Sequence, residues 1–260
     1  MKNYLLVMSI LVLFSCKHKE PDPIPETTGK LIFKITHNVD NQSMTVDTFK
    51  YVNAAGNLYQ ISELQYFISD VILNKTDGGS VKIDGVDWIH YIDTDIPSTE
   101  NWNISQSISA TSYSSISFTF GIADNKNISY MFPNPPERDM FWPDYLGGGY
   151  HSLKFNGKYK DTANLTKAFN YHLGRGQIYD TNGTIVGFVS NEFNVVLPGS
   201  AFTLSKDATK EIQLIMNIEY WFKPIIFDFN VIGGSIMQNQ SAMLIARQNG
   251  AGVFSVGYIN

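Results

Sequence analysis

The sequence predicts a mostly-β fold: a β-sandwich of antiparallel strands with a long aromatic loop and one C-terminal helix. Three observations point there. Apolar and polar residues alternate with period two through most readable segments, the pattern of strands buried on one face. Aromatic residues make up 13% of the 260-residue chain and charged residues only 17%, with 20 glycines, a balance that suits strands and turns. Only one segment, near the C-terminus, repeats at helical spacing.

The elements follow in order. Residues 1–16 read as a lipoprotein signal peptide. Lys2 gives a positive start, residues 4–14 form an apolar run, and Leu13-Phe14-Ser15-Cys16 has the form of a lipobox with Cys16 as the acylated residue. The run is shorter than the roughly 20 residues a membrane span needs. Residues 17–29 are polar and Pro-rich and read as a flexible tether, which leaves residues 30–260 for one β domain.

Leu31, Phe33, Ile35 and His37 share one face of a first strand. Residues 59–73 read as one or two strands closed by a turn at Asp77-Gly78-Gly79. In residues 81–93, Val86, Trp88, His90 and Ile92 point one way. Residues 113–121 form a further strand. Residues 131–149 form a loop rich in Pro, Gly and aromatics, too apolar for a linker, so it is expected to fold against the domain and to serve function. Residues 150–155 and 168–173 read as two short strands, with 191–197 and 211–220 beyond them. Residues 235–248 make the helix, with Met237, Ala242, Leu244 and Ile245 near one apolar face and Gly250 as its stop signal. Residues 253–259 close the domain.

The formal charge is −5 and the basic residues are scattered, so no nucleic acid partner is expected. Cys16 is the chain's one cysteine, which excludes a disulfide framework and a thiolate metal site. No nucleophile elbow, zinc-protease helix or phosphate-cradling loop is present, and carboxylate pairs such as Asp93/Asp95 and Glu137/Asp139 occur in any chain of this size. The chain is therefore not expected to be an enzyme.

The domain's histidines are His37, His90, His151 and His172. His37 lies on the core side of its strand, and His151 shares a face with Leu153 and Phe155. A hairpin register centred on the connection between 155 and 168 sets His151 opposite His172, at about 5 Å between Cβ atoms, close enough for two imidazoles to share one ion. Imidazoles without thiolates suit copper, zinc, nickel or iron. Met131 and Met140 flank the aromatic loop as soft donors for Cu(I). Such a site would lose affinity as pH drops through about 6.5, the ordinary histidine value.

Seven pieces in order carry a family resemblance: Leu31, Phe33 and His37; Tyr66, Ser69 and Asp70; Phe118, Gly121 and Ile122; Met140-Phe141-Trp142-Pro143; Gly147-Gly148-Gly149-Tyr150-His151; Phe169-Asn170-Tyr171-His172-Leu173-Gly174; and Ile236-Met237. Together they resemble the MbnP-like family, named for a copper-binding protein that accompanies methanobactin systems, over nearly all of residues 30–258. The resemblance implies a mostly-β, periplasmic or surface copper-binding domain. In some relatives copper is held by histidines together with a kynurenine made from tryptophan. Relatives often carry a second tryptophan where Asp144 or Tyr145 stands here, an acidic residue near Asn156, and in some cases cysteines. If a tryptophan is modified, Trp88 and Trp142 are the candidates.

The leading expectation is a copper-binding protein outside the cytoplasm, periplasmic or on the cell surface, anchored to a bacterial membrane through the lipid on Cys16. Its metal ligands would be His37, His151 and His172, with His90 in reserve. The rival is a metal-free surface interaction module that binds a glycan or a partner protein through the loop at 131–149, with Trp142 and Tyr145 as contacts.

Overall fold

The computed structural model describes residues 27–260. The expected signal peptide and Cys16 lie outside the described residues. The first strand begins at Thr28, so residues 28 and 29 belong to the domain and not to the tether.

The strands that frame the site are β1 (Thr28–Val39), β2 (Leu58–Lys75), β3 (Ile89–Asp93), β4 (Asn101–Asn103), β5 (Ser112–Phe120), β6 (Leu153–Lys160) and β7 (Thr166–Leu173). They continue with β8 (Gly176–Tyr179), β9 (Ile185–Val189), β10 (Phe193–Leu197), β11 (Thr209–Asn217) and β12 (Phe254–Ile259). One sheet runs β12-β11-β1, with β4 also on β1. The other runs β7-β6-β2-β5-β10, with β3 also on β2. The β8–β9 hairpin stands apart as a two-stranded sheet.

Alternation along β1 buries Leu31, Phe33, Ile35 and His37, as the sequence predicts, and continues to Val39. Their partners across the sandwich come from the second sheet: Tyr66 meets both His37 and Phe254, and Phe118 meets Phe254 edge-on. Each fully buried Leu, Ile, Val or Phe among them contributes about 1.5–3 kcal/mol. The 59–73 segment is one strand, β2, with a register shift between Ser69 and Ile72 where Asp70 takes φ 51°.

The ladders are antiparallel with one departure: β1 and β11 run parallel. The chain crosses to the other sheet between them, and only a long crossover permits parallel neighbours. Three expected elements also shift. Gly85–Asp87 is a 3₁₀ turn, so Val86 and Trp88 precede β3 instead of lying in it. The segment 211–220 leaves strand geometry at Asn217 and turns through Ile218–Phe222. The helix spans Gln240–Gly250, capped by Asn239, whose side chain accepts from the Ala242 amide. It buries Ala242, Met243 and Ala246, leaves Leu244 exposed, and contains Gly250, with Met237 before its start. No helix among the described residues is long and apolar enough to cross a membrane.

Candidate metal centre

The aromatic loop folds against the outer face of the second sheet. Neighbouring residues of β2 divide between the two sides: Tyr66 enters the sandwich core, while Phe67 joins Tyr91, Ile122, Met140 and Tyr150 in a second buried cluster. The loop closes on itself as a strap. The Trp142 amide donates to the Gly149 carbonyl at 2.8 Å, and the His151 amide to the Met140 carbonyl at 2.7 Å. Gly147, Gly148 and Gly149 all have positive φ, which lets the strap turn back without Cβ strain. Inside it the Trp142 indole is fully buried and donates from Nε1 to the Leu146 carbonyl at 3.1 Å. A Cβ at Gly174 would stand 2.4 Å from the Trp142 ring, so this glycine is what lets the indole sit against the corner that follows β7.

The strap delivers His151 to His172. Their ring centroids are 5.2 Å apart with planes at 85°, and Trp142 meets His151 edge-on at 4.7 Å. The expected ladder register is not the reason. β6 and β7 pair Lys154 with His172, three residues away from the register centred on the connection. That hairpin is tight: Asp161 Oδ1 accepts from the amides of Ala163 and Leu165, so the strands run on to Lys160 and Thr166. His151 reaches its partner because it precedes β6 and follows the strap.

Each imidazole has one nitrogen committed to a neutral acceptor. His151 Nδ1 lies 2.9 Å from the Met140 carbonyl oxygen, which can only accept, so Nδ1 carries the proton. Nε2 of His151 is then a bare lone pair; it is buried and makes no hydrogen bond within the protein. His172 Nε2 lies 2.8 Å from Asn156 Oδ1, while Asn156 Nδ2 donates to Glu63 Oε2 at 2.7 Å. Glu63 thus fixes the amide's orientation, the amide oxygen takes the Nε2 proton of His172, and Nδ1 of His172 is the bare atom. A histidine that donates its second nitrogen to an oxygen acceptor is oriented as a metal ligand is.

Both rings are held neutral. Burial, then the neighbouring His172, pushes His151 down to about 3; the Met140 hydrogen bond opposes this and Lys154 adds to it. Burial and the Lys154 charge push His172 down to about 4. Protonation of these two rings is thus set by burial to well below the ordinary histidine value of about 6.5. Lys154 itself is half-buried, donates to the Asp139 carbonyl oxygen, and is shifted down by burial.

A family model described as MbnP matches residues 28–239. The chain belongs to the MbnP family. Among solved structures, MbnP from Methylosinus trichosporium has a similar fold, with a TM-score of 0.51 and 13% identity, over 78% of this chain and 80% of that one. No curated protein matches.

The other two histidines of this MbnP-family domain have partners of their own. His37 sits between the Tyr66 hydroxyl at 3.0 Å from Nε2 and Glu100 Oε1 at 3.2 Å from Nδ1. His90 Nε2 donates to the Thr99 carbonyl at 2.7 Å, and its ring stacks on Trp102 at 4.6 Å. Burial lowers its pKa. Trp102, which the sequence reading passed over, takes the place beside His90 that Trp88 was expected to hold. Trp88 instead lies under the Lys126 ammonium at 5.1 Å. Among the described residues no group of three or more His, Cys, Asp or Glu could hold a metal ion. The Met140 side chain packs in the second cluster, and its contribution to the pair is its carbonyl.

Lys154, Asn156 and Glu63 are the residues the sequence reading missed. Once the hairpin register is known they are legible, since Lys154 lies opposite His172 and Asn156 opposite Glu63 across the β6–β2 ladder.

Proposed function

We propose that the protein is a lipid-anchored, extracytoplasmic copper-binding protein, not an enzyme, and that His151 and His172 are its copper ligands. The observation that carries the reading is the bare, buried Nε2 of His151 on a ring 5.2 Å from a second imidazole whose tautomer is also fixed. A buried lone pair without a donor costs free energy unless something binds it. Two neutral imidazole nitrogens with no thiolate or carboxylate suit a borderline or soft ion, and membership of the MbnP family and the lipobox at Cys16 support copper and the address. His37 and His90 then act in packing, not as ligands. The test is the copper content of protein purified with limiting copper, by plasma mass spectrometry, beside a His151→Ala/His172→Ala double variant. Near-stoichiometric copper that disappears in the double variant is expected; equal copper in both would refute the pair as the site.

One observation favours a second reading. Tyr130, Phe132, Pro133, Arg138, Phe141 and Tyr150 line a cavity of about 400 Å³ beside the strap, and Tyr130 and Tyr145 are 71% and 70% exposed. A glycan or partner protein would dock in that cavity through Tyr130, with the exposed Tyr145 of the same loop as a further contact, and not through Trp142, which is buried. Loss of partner binding in Tyr130→Ala and Tyr145→Ala, with the histidine double variant unaffected, would favour it.

A further inference from the structure

The charge beside the histidine pair bears on which ions it accepts. Lys154 is the direct cross-strand neighbour of His172, a placement with about 5 Å between Cβ atoms. Its ammonium is held at the site by the Asp139 carbonyl oxygen. The acceptors that engage the two imidazoles, the Met140 carbonyl and the Asn156 amide oxygen, are neutral. The neighbouring carboxylates are engaged elsewhere. Glu63 takes the Asn156 amide, Asp139 pairs with Arg138, and Asp93 accepts from Tyr91 and Gln65. Those carboxylates keep their charge and act on Lys154, but the cationic side chain that acts on both imidazoles is Lys154 itself, and no carboxylate engages either ring.

Repulsion between a fixed ammonium and a bound ion is proportional to the ion's charge, so a divalent ion meets twice the penalty of a monovalent one. Neutral imidazoles cannot offset it as a carboxylate or thiolate would. We propose that Lys154 makes the His151/His172 centre selective for monovalent ions of the Cu(I) and Ag(I) type over divalent ions such as Zn(II). This inference rests on the reading of the pair as a metal centre. Lys154 does not touch the ion; it determines specificity through its charge.

The test measures Ag(I) and Zn(II) affinities separately, in a Cys16→Ser background that removes the chain's one thiol. The variants are Lys154→Leu, Lys154→Gln and Lys154→Arg, with the histidine double variant as the blank. Because the penalty scales with charge, the fold gain for Zn(II) in the neutral variants should be the square of that for Ag(I): roughly fivefold for Ag(I) goes with roughly twenty-five-fold for Zn(II). Lys154→Arg keeps the charge and should keep the wild-type selectivity. Either neutral variant suffices if the other fails to fold. Equal fold-changes for both ions, or no Zn(II) gain in either neutral variant, would overturn the role of Lys154 while leaving the copper reading intact. If neither ion binds the wild-type pair above the blank, both readings fail together.

Discussion

Asn156 decides which nitrogen of His172 stays bare, and it does so because Glu63 decides which way Asn156 points. Replacing it by leucine keeps the volume and removes the acceptor, so the ring loses its orientation. Asn156→Leu is expected to weaken metal binding about 10–100-fold, read by competition with a chelator of known affinity, with the far-ultraviolet circular dichroism unchanged. The pH behaviour follows from the two lowered histidines. Their folded values are about 3 and about 4, against about 6.5 in the unfolded chain. Between those limits the unfolded chain binds more protons than the folded one, so stability is complete above about 6.5 and falls as pH drops toward 4. The slope approaches about 1.4 kcal/mol per pH unit for each histidine in that window. Denaturant midpoints of the metal-free protein should decline from pH 6.5 to 4.5, and more shallowly in the histidine double variant. Metal affinity per folded molecule, by contrast, should hold nearly level from pH 7.5 to 5. A tenfold loss over that range would mean that the ligands are ordinary, exposed histidines.

At the scale of elements, alternation made β1, β2, β5 and β12 legible, because a half-buried strand writes its burial into every second residue. The buried face of β1 is the face read from the sequence, His37 included. The hairpin that carries the site was only half legible. Its strands are legible, but symmetry about a connection from 156 to 167 gives the wrong register. The Asp161 side chain closes a much shorter turn. A local Asx turn fixes the register of every pair behind it, and the residues alone do not announce which of several Asp and Asn positions will do so. Asp161→Ala removes both bonds and should cost about 1 kcal/mol per bond in urea unfolding. The β8–β9 hairpin is not legible in the sequence, for its strands fully bury no large apolar side chain and residues 185–189 are written without polar alternation. The strap makes its own prediction. Gly174→Ala sets a methyl 2.4 Å from the Trp142 ring, so the indole must leave its place against His151. The expected cost is about 1–3 kcal/mol of overpacking, with a red shift of tryptophan emission and weakened metal binding.

For the whole molecule, the sandwich is a frame and the site lies at the edge of its main core, between a sheet face and a strap whose Trp142 and Leu146 join that core while Met140 and Tyr150 join the second cluster. Residues far apart in sequence are needed to make it: Glu63 from β2, Met140 and Trp142 from the loop, Asn156 from β6 and His172 from β7. That is why the pair could be suspected from the sequence while its supports could not, since each support has a meaning only once two strands and a loop are laid side by side. The frame also sets what ion binding should do to the fold. A ligand that binds only the folded chain stabilises it by about 2.7 kcal/mol at a hundredfold excess over Kd. In a domain of roughly 200 residues each kcal/mol moves Tm by about 2–4 °C. Ag(I) or Cu(I) at that excess should therefore raise Tm by about 5–10 °C, and the His151→Ala/His172→Ala variant should show no rise over its own metal-free Tm. A rise of equal size in the double variant would mean that the ion stabilises the sandwich from some other place, and the pair would have to be read as packing beneath Trp142.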